Sequence, residues 1–278
     1  MSAVADYEYE EEEEGGTYGP VLSGMDGQEW RAGLALGFLA MLPMLIAYEL
    51  SDSGSRSTAE MVLLRVLSLF GDLERTLRWT VIALMAGVAV VTLARTPSRR
   101  RDLLPGVGAA LGRVAIEGTV LALLLGPALV GLMYLLGVQP PGLADPDQVP
   151  AGARAAFVFG AAAWEELLFR VGAYSALYLI VRRTLHLFRA RDAIATGMAE
   201  LCGLLGSAVL FAGAHLAVFT AWLGPGGELY DGSVFTWRLL AGILLGLVFR
   251  WRGPGVAAWT HGLFNLALLL GAGPDVFL

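Results

Sequence analysis

The feature that most constrains this chain is a succession of apolar blocks at 32–50, 79–94, 114–137, 153–181, 193–222, 236–250 and 254–272. A hydrocarbon core of roughly 30 Å takes about 20 apolar residues to cross as a helix. Lipid offers no partner to an unpaired backbone N–H or C=O, so a spanning block must fold as a helix or join a closed barrel. Blocks of this length favour the helix. The fold predicted is an all-α, polytopic transmembrane helix bundle of about seven to eight membrane helices. The uncertain eighth is 60–71 (EMVLLRVLSLFG), which is short and carries Arg65. It reads as an interfacial or re-entrant helix, with a short span as the alternative. The expected organisation is an acidic, disordered tail over 1–30, N-terminal membrane helices over 31–150, and a membrane core over 151–278 that holds the chemistry.

Composition agrees: 56% of the residues are hydrophobic and 16% charged, against roughly 45–50% and 25% in soluble domains. The net charge of −6 is local, since DYEYEEEEE (6–14) supplies most of it. No basic patch with interleaved aromatics is present, which argues against a nucleic-acid partner. Cys202 is the single cysteine, so an internal disulfide and a multi-cysteine metal site are excluded. No cleavable signal peptide is expected, because the N-terminus is acidic and its first apolar block is long enough to be retained.

All 19 basic residues are arginine. Together with the abundance of Ala, Gly, Leu and Val, this suggests a GC-rich bacterial source and hence a bacterial inner (cytoplasmic) membrane. The arginines cluster in loops expected at 96–102 and 181–192 and at Arg250 and Arg252, whereas the loops expected at 139–150 and 223–233 have none. With seven spans, the positive-inside bias puts the N-terminus in the cytoplasm and the C-terminus outside.

Ionisable residues at membrane depth are costly, face a bundle interior or a water-filled cavity, and mark functional sites. The first cluster is in AAAWEELLFR (161–170). Glu166 and Arg170 are four apart on one helix face and can form an ion pair. Glu165 points about 100° away and has no counter-ion on its own helix, which suits a general base or proton shuttle. Its neighbours Trp164 and Phe169 are packing aromatics or cavity lining. The second cluster is FAGAH (Phe211 to His215) and the third HGLFN (His261 to Asn265). Each is again spaced at i, i+4, and Gly262 would let another helix approach closely. For each, a polar packing contact between helices is the plainer alternative. His186, the remaining histidine of three, lies in the arginine-rich stretch and reads as solvated or headgroup-facing.

In order along the chain, EELLFR fits E-E-x-x-x-R, FAGAH fits F-x-x-x-H and HGLFN fits H-x-x-x-N. Over roughly 153–272 the chain therefore resembles the CPBP family, the CAAX proteases and bacteriocin-processing enzymes also called Abi, which includes the Rce1-type prenyl-protein proteases. The resemblance implies an intramembrane endopeptidase acting on a membrane-anchored protein or peptide, in C-terminal processing or sorting-type cleavage. It implies Glu165 as general base assisted by His215, His261 and Asn265 as oxyanion donors, and Glu166 and Arg170 as supports. A water-accessible polar cavity among the last four spans is expected. The family has been described both as glutamic proteases and as metalloproteases. With no His-Glu-x-x-His helix here, no metal is favoured. The alternative is zinc held by Glu165, His215 and His261. Two other readings stay open: a non-catalytic membrane scaffold or bacteriocin-immunity protein of the same fold, and a proton-coupled transporter. The transporter is weakened by the lack of a visible internal repeat.

Overall fold

The structure is a computed structural model, and it describes residues 27–51, 73–95, 100–141, 151–220 and 229–271. The acidic tail up to residue 26 and the segment 60–71 lie outside the described residues. So do 96–99, most of the arginine-free stretch 139–150, and 221–228.

Every apolar block is largely helical over its described residues, and no β-strand occurs among them. The elements are α1 (Gly27–Leu50), α2 (Glu74–Arg95), α3 (Arg100–Leu135), α4 (Ala151–Glu166), a π-helical segment (Leu167–Tyr174), α5 (Ser175–Leu187), α6 (Asp192–Gly213), the short α7 (Ala217–Thr220), α8 (Gly232–Arg252) and α9 (Pro254–Leu269). Among the described residues, five helices are long and apolar enough to cross a membrane by length and composition: α1, α2, α3, α6 and α8. Leu84, Val88, Ile116, Leu123, Leu124 and Ile180 point outward and stay exposed. An apolar exterior on apolar helices is what lipid, rather than water, stabilises. The chain is an integral membrane protein.

Without a hydrophobic drive between helices in lipid, association relies on close packing of small residues. α9 is the central element, packed against α1, α3, α4 and α8. Its approach to α1 is through Gly37 and Gly255, where a Cβ on Gly255 would lie 2.8 Å from the Gly37 Cα. Its approach to α3 is through Gly118, where a Cβ would lie 2.6 Å from the Trp259 Cβ. On one side of α9, Met41, Met44, Leu45, Tyr48 and Trp164 form a core between α1 and α4. On the other, Leu125, Leu129, Met133, Trp237, Leu245 and Phe264 join α3, α8 and α9. Two buried hydroxyls are satisfied within their own helices: Thr260 Oγ1 donates to the Val256 carbonyl (2.8 Å) and Ser207 Oγ to the Leu204 carbonyl (3.1 Å).

Three local expectations need correction. The stretch 181–192 is not a long loop. α5 continues to Leu187 and only 188–191 separate it from α6. Its polar side chains tie the two helix ends together, with Asp192 Oδ1 accepting from Arg182 (3.0 Å) and lying 3.2 Å from His186 Nε2. The block 193–222 is not one helix, because α6 ends at Gly213 and His215 lies in the turn beyond it. The helix carrying the paired glutamates is not α-helical throughout, because its hydrogen bonding changes to the wider π form directly after Glu166.

The α8–α9 connection is a single residue. Gly253 has φ 86° and ψ 177°, a region open essentially to glycine alone. Pro254 then starts α9 at its first position, where the missing N–H costs no helical bond. This reversal sets His261 seven residues into α9, about 10 Å along its axis at 1.5 Å per residue.

Candidate active site

The site forms where the end of α4 meets the middle of α9. Glu165 (7% exposed), Glu166 (0%), Arg170 (0%) and His261 (4%) are all buried. His261 Nδ1 lies 2.8 Å from Glu166 Oε1, and its Nε2 lies 3.6 Å from Glu165 Oε2. The two adjacent carboxylates of one helix thus face the two nitrogens of one imidazole from another helix, 95 residues further along the chain. Glu165 meets an ionisable neighbour from another helix, His261 of α9. The contact of Nδ1 with a carboxylate fixes the tautomer: Nδ1–H donates to Glu166, and Nε2 is left facing Glu165.

Arg170 lies on the other side of Glu166. Its Nε is 3.3 Å from Glu166 Oε2, and its Nη2 donates to the Gly242 carbonyl on α8 at 3.4 Å. The guanidinium carbon sits 4.6 Å from the centroid of the Phe211 ring, within reach of a cation–π attraction. Phe211 is a hub. The rings of Phe169, His215 and His261 meet it edge-to-face at centroid distances of 5.4, 5.1 and 5.7 Å. The i, i+4 spacing in FAGAH therefore does bring His215 back to Phe211. The His215 Nδ1 lies 2.8 Å from the Phe211 carbonyl oxygen. An Nδ1–H donating there places the lone pair on Nε2.

The structure thus brings Glu165, Glu166, Arg170 and His261 into direct contact and sets His215 beside them across Phe211. Asn265, one turn after His261 on α9, is half-buried. Phe169 faces the site, whereas Trp164 packs away from it in the α1–α4 core. The close approach expected at Gly262 is present, since a Cβ there would lie 2.7 Å from Met44 Cε and 2.8 Å from Phe159 Cδ2. Gly262→Ala should push α9 off α4 and separate His261 from both glutamates. The expected result is a stability loss of about 1–3 kcal/mol from overpacking, with a fall in activity exceeding the loss of folded protein. Thermal melts and cleavage rates on one preparation would check it.

The zinc alternative can be set against the donor geometry. Among the described residues, no group of three or more His, Cys, Asp or Glu is arranged to hold a metal ion.

Fold and site together define a class: an all-α membrane protein that buries a Glu–Glu–Arg–His constellation between its helices. Residues 148–267 match the family described as Type II CAAX prenyl endopeptidase Rce1-like, so this part of the chain is similar to that family. The match contains every site residue named above. No curated protein and no solved structure matches the chain.

Proposed function

We propose that this protein is an intramembrane endopeptidase in which Glu165 activates a water molecule against the peptide carbonyl of a membrane-anchored substrate. The observation that carries the reading is the pair of contacts from His261, at 2.8 Å to Glu166 and 3.6 Å to Glu165. The longer separation exceeds a direct hydrogen bond. It leaves the Glu165 carboxylate and His261 Nε2 able to hold one water beside them both. Glu165 takes the proton from that water as it attacks. His215, with its Nε2 lone pair, assists as the second basic group.

The tetrahedral intermediate carries a negative oxygen that needs donors already in place. Asn265, one turn from His261, supplies an amide N–H. His261 supplies a second donor from Nε2 once that nitrogen has taken up a proton. Glu166 and Arg170 touch no reacting atom in this scheme. They orient His261 and keep the helix that carries Glu165 in place. Burial strengthens each of these interactions by removing competing water. The substrate class is a peptide or protein tethered to the bilayer, cut near its C-terminal anchor, and the setting is a bacterial inner membrane.

Catalysis through this set requires no metal. In proteoliposomes offered a library of membrane-anchored peptides, the cleavage rate should stay within twofold after 1,10-phenanthroline or EDTA treatment, an allowance of about 0.4 kcal/mol. Loss of activity that zinc restores would replace this mechanism with a metal-dependent one.

A further inference from the structure

A second polar cluster lies one turn beyond the site, and the proposed mechanism does not use it. Glu200 of α6 accepts two bonds from Arg250 Nε, at 2.8 and 2.9 Å, and its Oε1 is 2.8 Å from Arg250 Nη2. The same carboxylate accepts a short hydrogen bond from the Tyr174 hydroxyl. Tyr174 is 5% exposed and is the last residue of the π-helical segment. Its ring meets Phe249 edge-on at 5.5 Å. It also lies against Gly203 of α6, where a Cβ would come within 3.3 Å of the ring and 3.2 Å of the Tyr174 carbonyl oxygen.

Two layers of anchoring thus run along one face. Arg170 reaches Phe211 of α6 and Gly242 of α8. Tyr174, four residues on, reaches Glu200 of α6 and Arg250 of α8. On α6, residues 200 and 211 are three turns apart, and on α8, residues 242 and 250 are about two turns apart, so each pair shares a helix face. Upstream, α4 is fixed separately: Gly160 abuts the α1 backbone at Met44 and Tyr48 so closely that a Cβ has no room. The π segment lies between these two anchors and takes up a one-residue mismatch. π-Helical turns are rare and form where something holds them. Relaxation to the α form would rotate one side by about 100° relative to the other. Because Glu165 and Glu166 are adjacent, that slip carries one of them into the other's angular position and turns the other away.

We propose that Tyr174, Glu200 and Arg250 form a positioning clamp that holds the π register, and so determines which of the two adjacent glutamates pairs with Arg170 and which faces His261 Nε2. This rests on the hydrolase reading of the site. None of the three touches reacting atoms; each acts through the helix that carries them.

The test uses the full chain in proteoliposomes, with Tyr174→Phe, Glu200→Gln, Arg250→Met, Arg250→Lys and, in parallel, Glu165→Gln. Tyr174→Phe and Glu200→Gln should lower kcat by about tenfold or more with KM nearly unchanged, since misplacement by about 1 Å can cost a hundredfold. Arg250→Lys should recover part of what Arg250→Met loses. Hydrogen exchange over 163–176 should accelerate in Tyr174→Phe and Glu200→Gln, while exchange in α1 and α3 stays as in the wild type. Wild-type kcat in the clamp variants, or a loss that only tracks unfolded protein, would overturn the clamp. Unchanged exchange over 163–176 would overturn it whether or not any substrate is cut. The hydrolase reading fails separately, if Glu165→Gln cleaves like the wild type or if the wild type cleaves nothing.

Discussion

Glu165→Gln should lower kcat for peptide cleavage by about 100- to 10,000-fold, the range that a positioned general base contributes. The substitution keeps size and shape and removes the basic oxygen. Glu165 lies 3.6 Å from His261 Nε2 and is not the glutamate paired with Arg170, so the fold should tolerate the change. The melting temperature in detergent is expected to stay within a few degrees of the wild type. KM should change little, because the lost interaction belongs to the transition state. Glu166→Gln should behave differently, with a smaller loss of kcat and a measurable loss of stability, because it weakens the Arg170 pair and the hydrogen bond that sets the His261 tautomer. Equal effects on kcat and stability from the two substitutions would refute the division of roles between the neighbours.

The largest stability effect is expected at Arg170. Its side chain is fully buried, and it is held by Glu166, the Gly242 carbonyl and the face of Phe211. Removing one member of a buried ion pair leaves the other charge uncompensated, at about 3–5 kcal/mol. Arg170→Met should therefore yield little folded protein and a sharply lower melting temperature. The double variant Glu166→Leu with Arg170→Met removes both charges and should regain most of that stability. It should stay poorly active, because His261 has then lost the carboxylate on Nδ1. A double variant no more stable than Arg170→Met alone would mean that Arg170 acts through its contacts with α6 and α8 rather than through Glu166.

The helices were legible because the bilayer imposes length and hydropathy together. The seven apolar blocks are helical over most of their described residues, although 193–222 breaks after Gly213 and the helix of 114–137 begins already at Arg100. The Glu166–Arg170 pair was legible from its i, i+4 spacing on one helix. The turn that carries His215 was hidden, since Phe211 through Leu216 is apolar enough to read as continuous helix. The π segment was hidden for a different reason. In the proposed clamp it is held between two anchors, Gly160 of α4 against α1 and Tyr174 against α6, and neither contact has a local trace. The Gly242 carbonyl that receives Arg170 is backbone and has no residue signature. Glu200 did leave a signal: it is an ionisable residue inside the apolar block GMAELCGLLG (197–206), with Arg250 at the end of another block.

The central claim is that water, activated at Glu165, attacks the substrate directly. It is tested most directly by single-turnover cleavage in proteoliposomes prepared in ¹⁸O-water, with mass analysis of the new C-terminus. The account predicts one solvent ¹⁸O in the first-turnover product of the wild type, and at most trace product from Glu165→Gln. A first-turnover product carrying unlabelled oxygen from a protein carboxylate, or labelled product formed by Glu165→Gln at the wild-type rate, would contradict it.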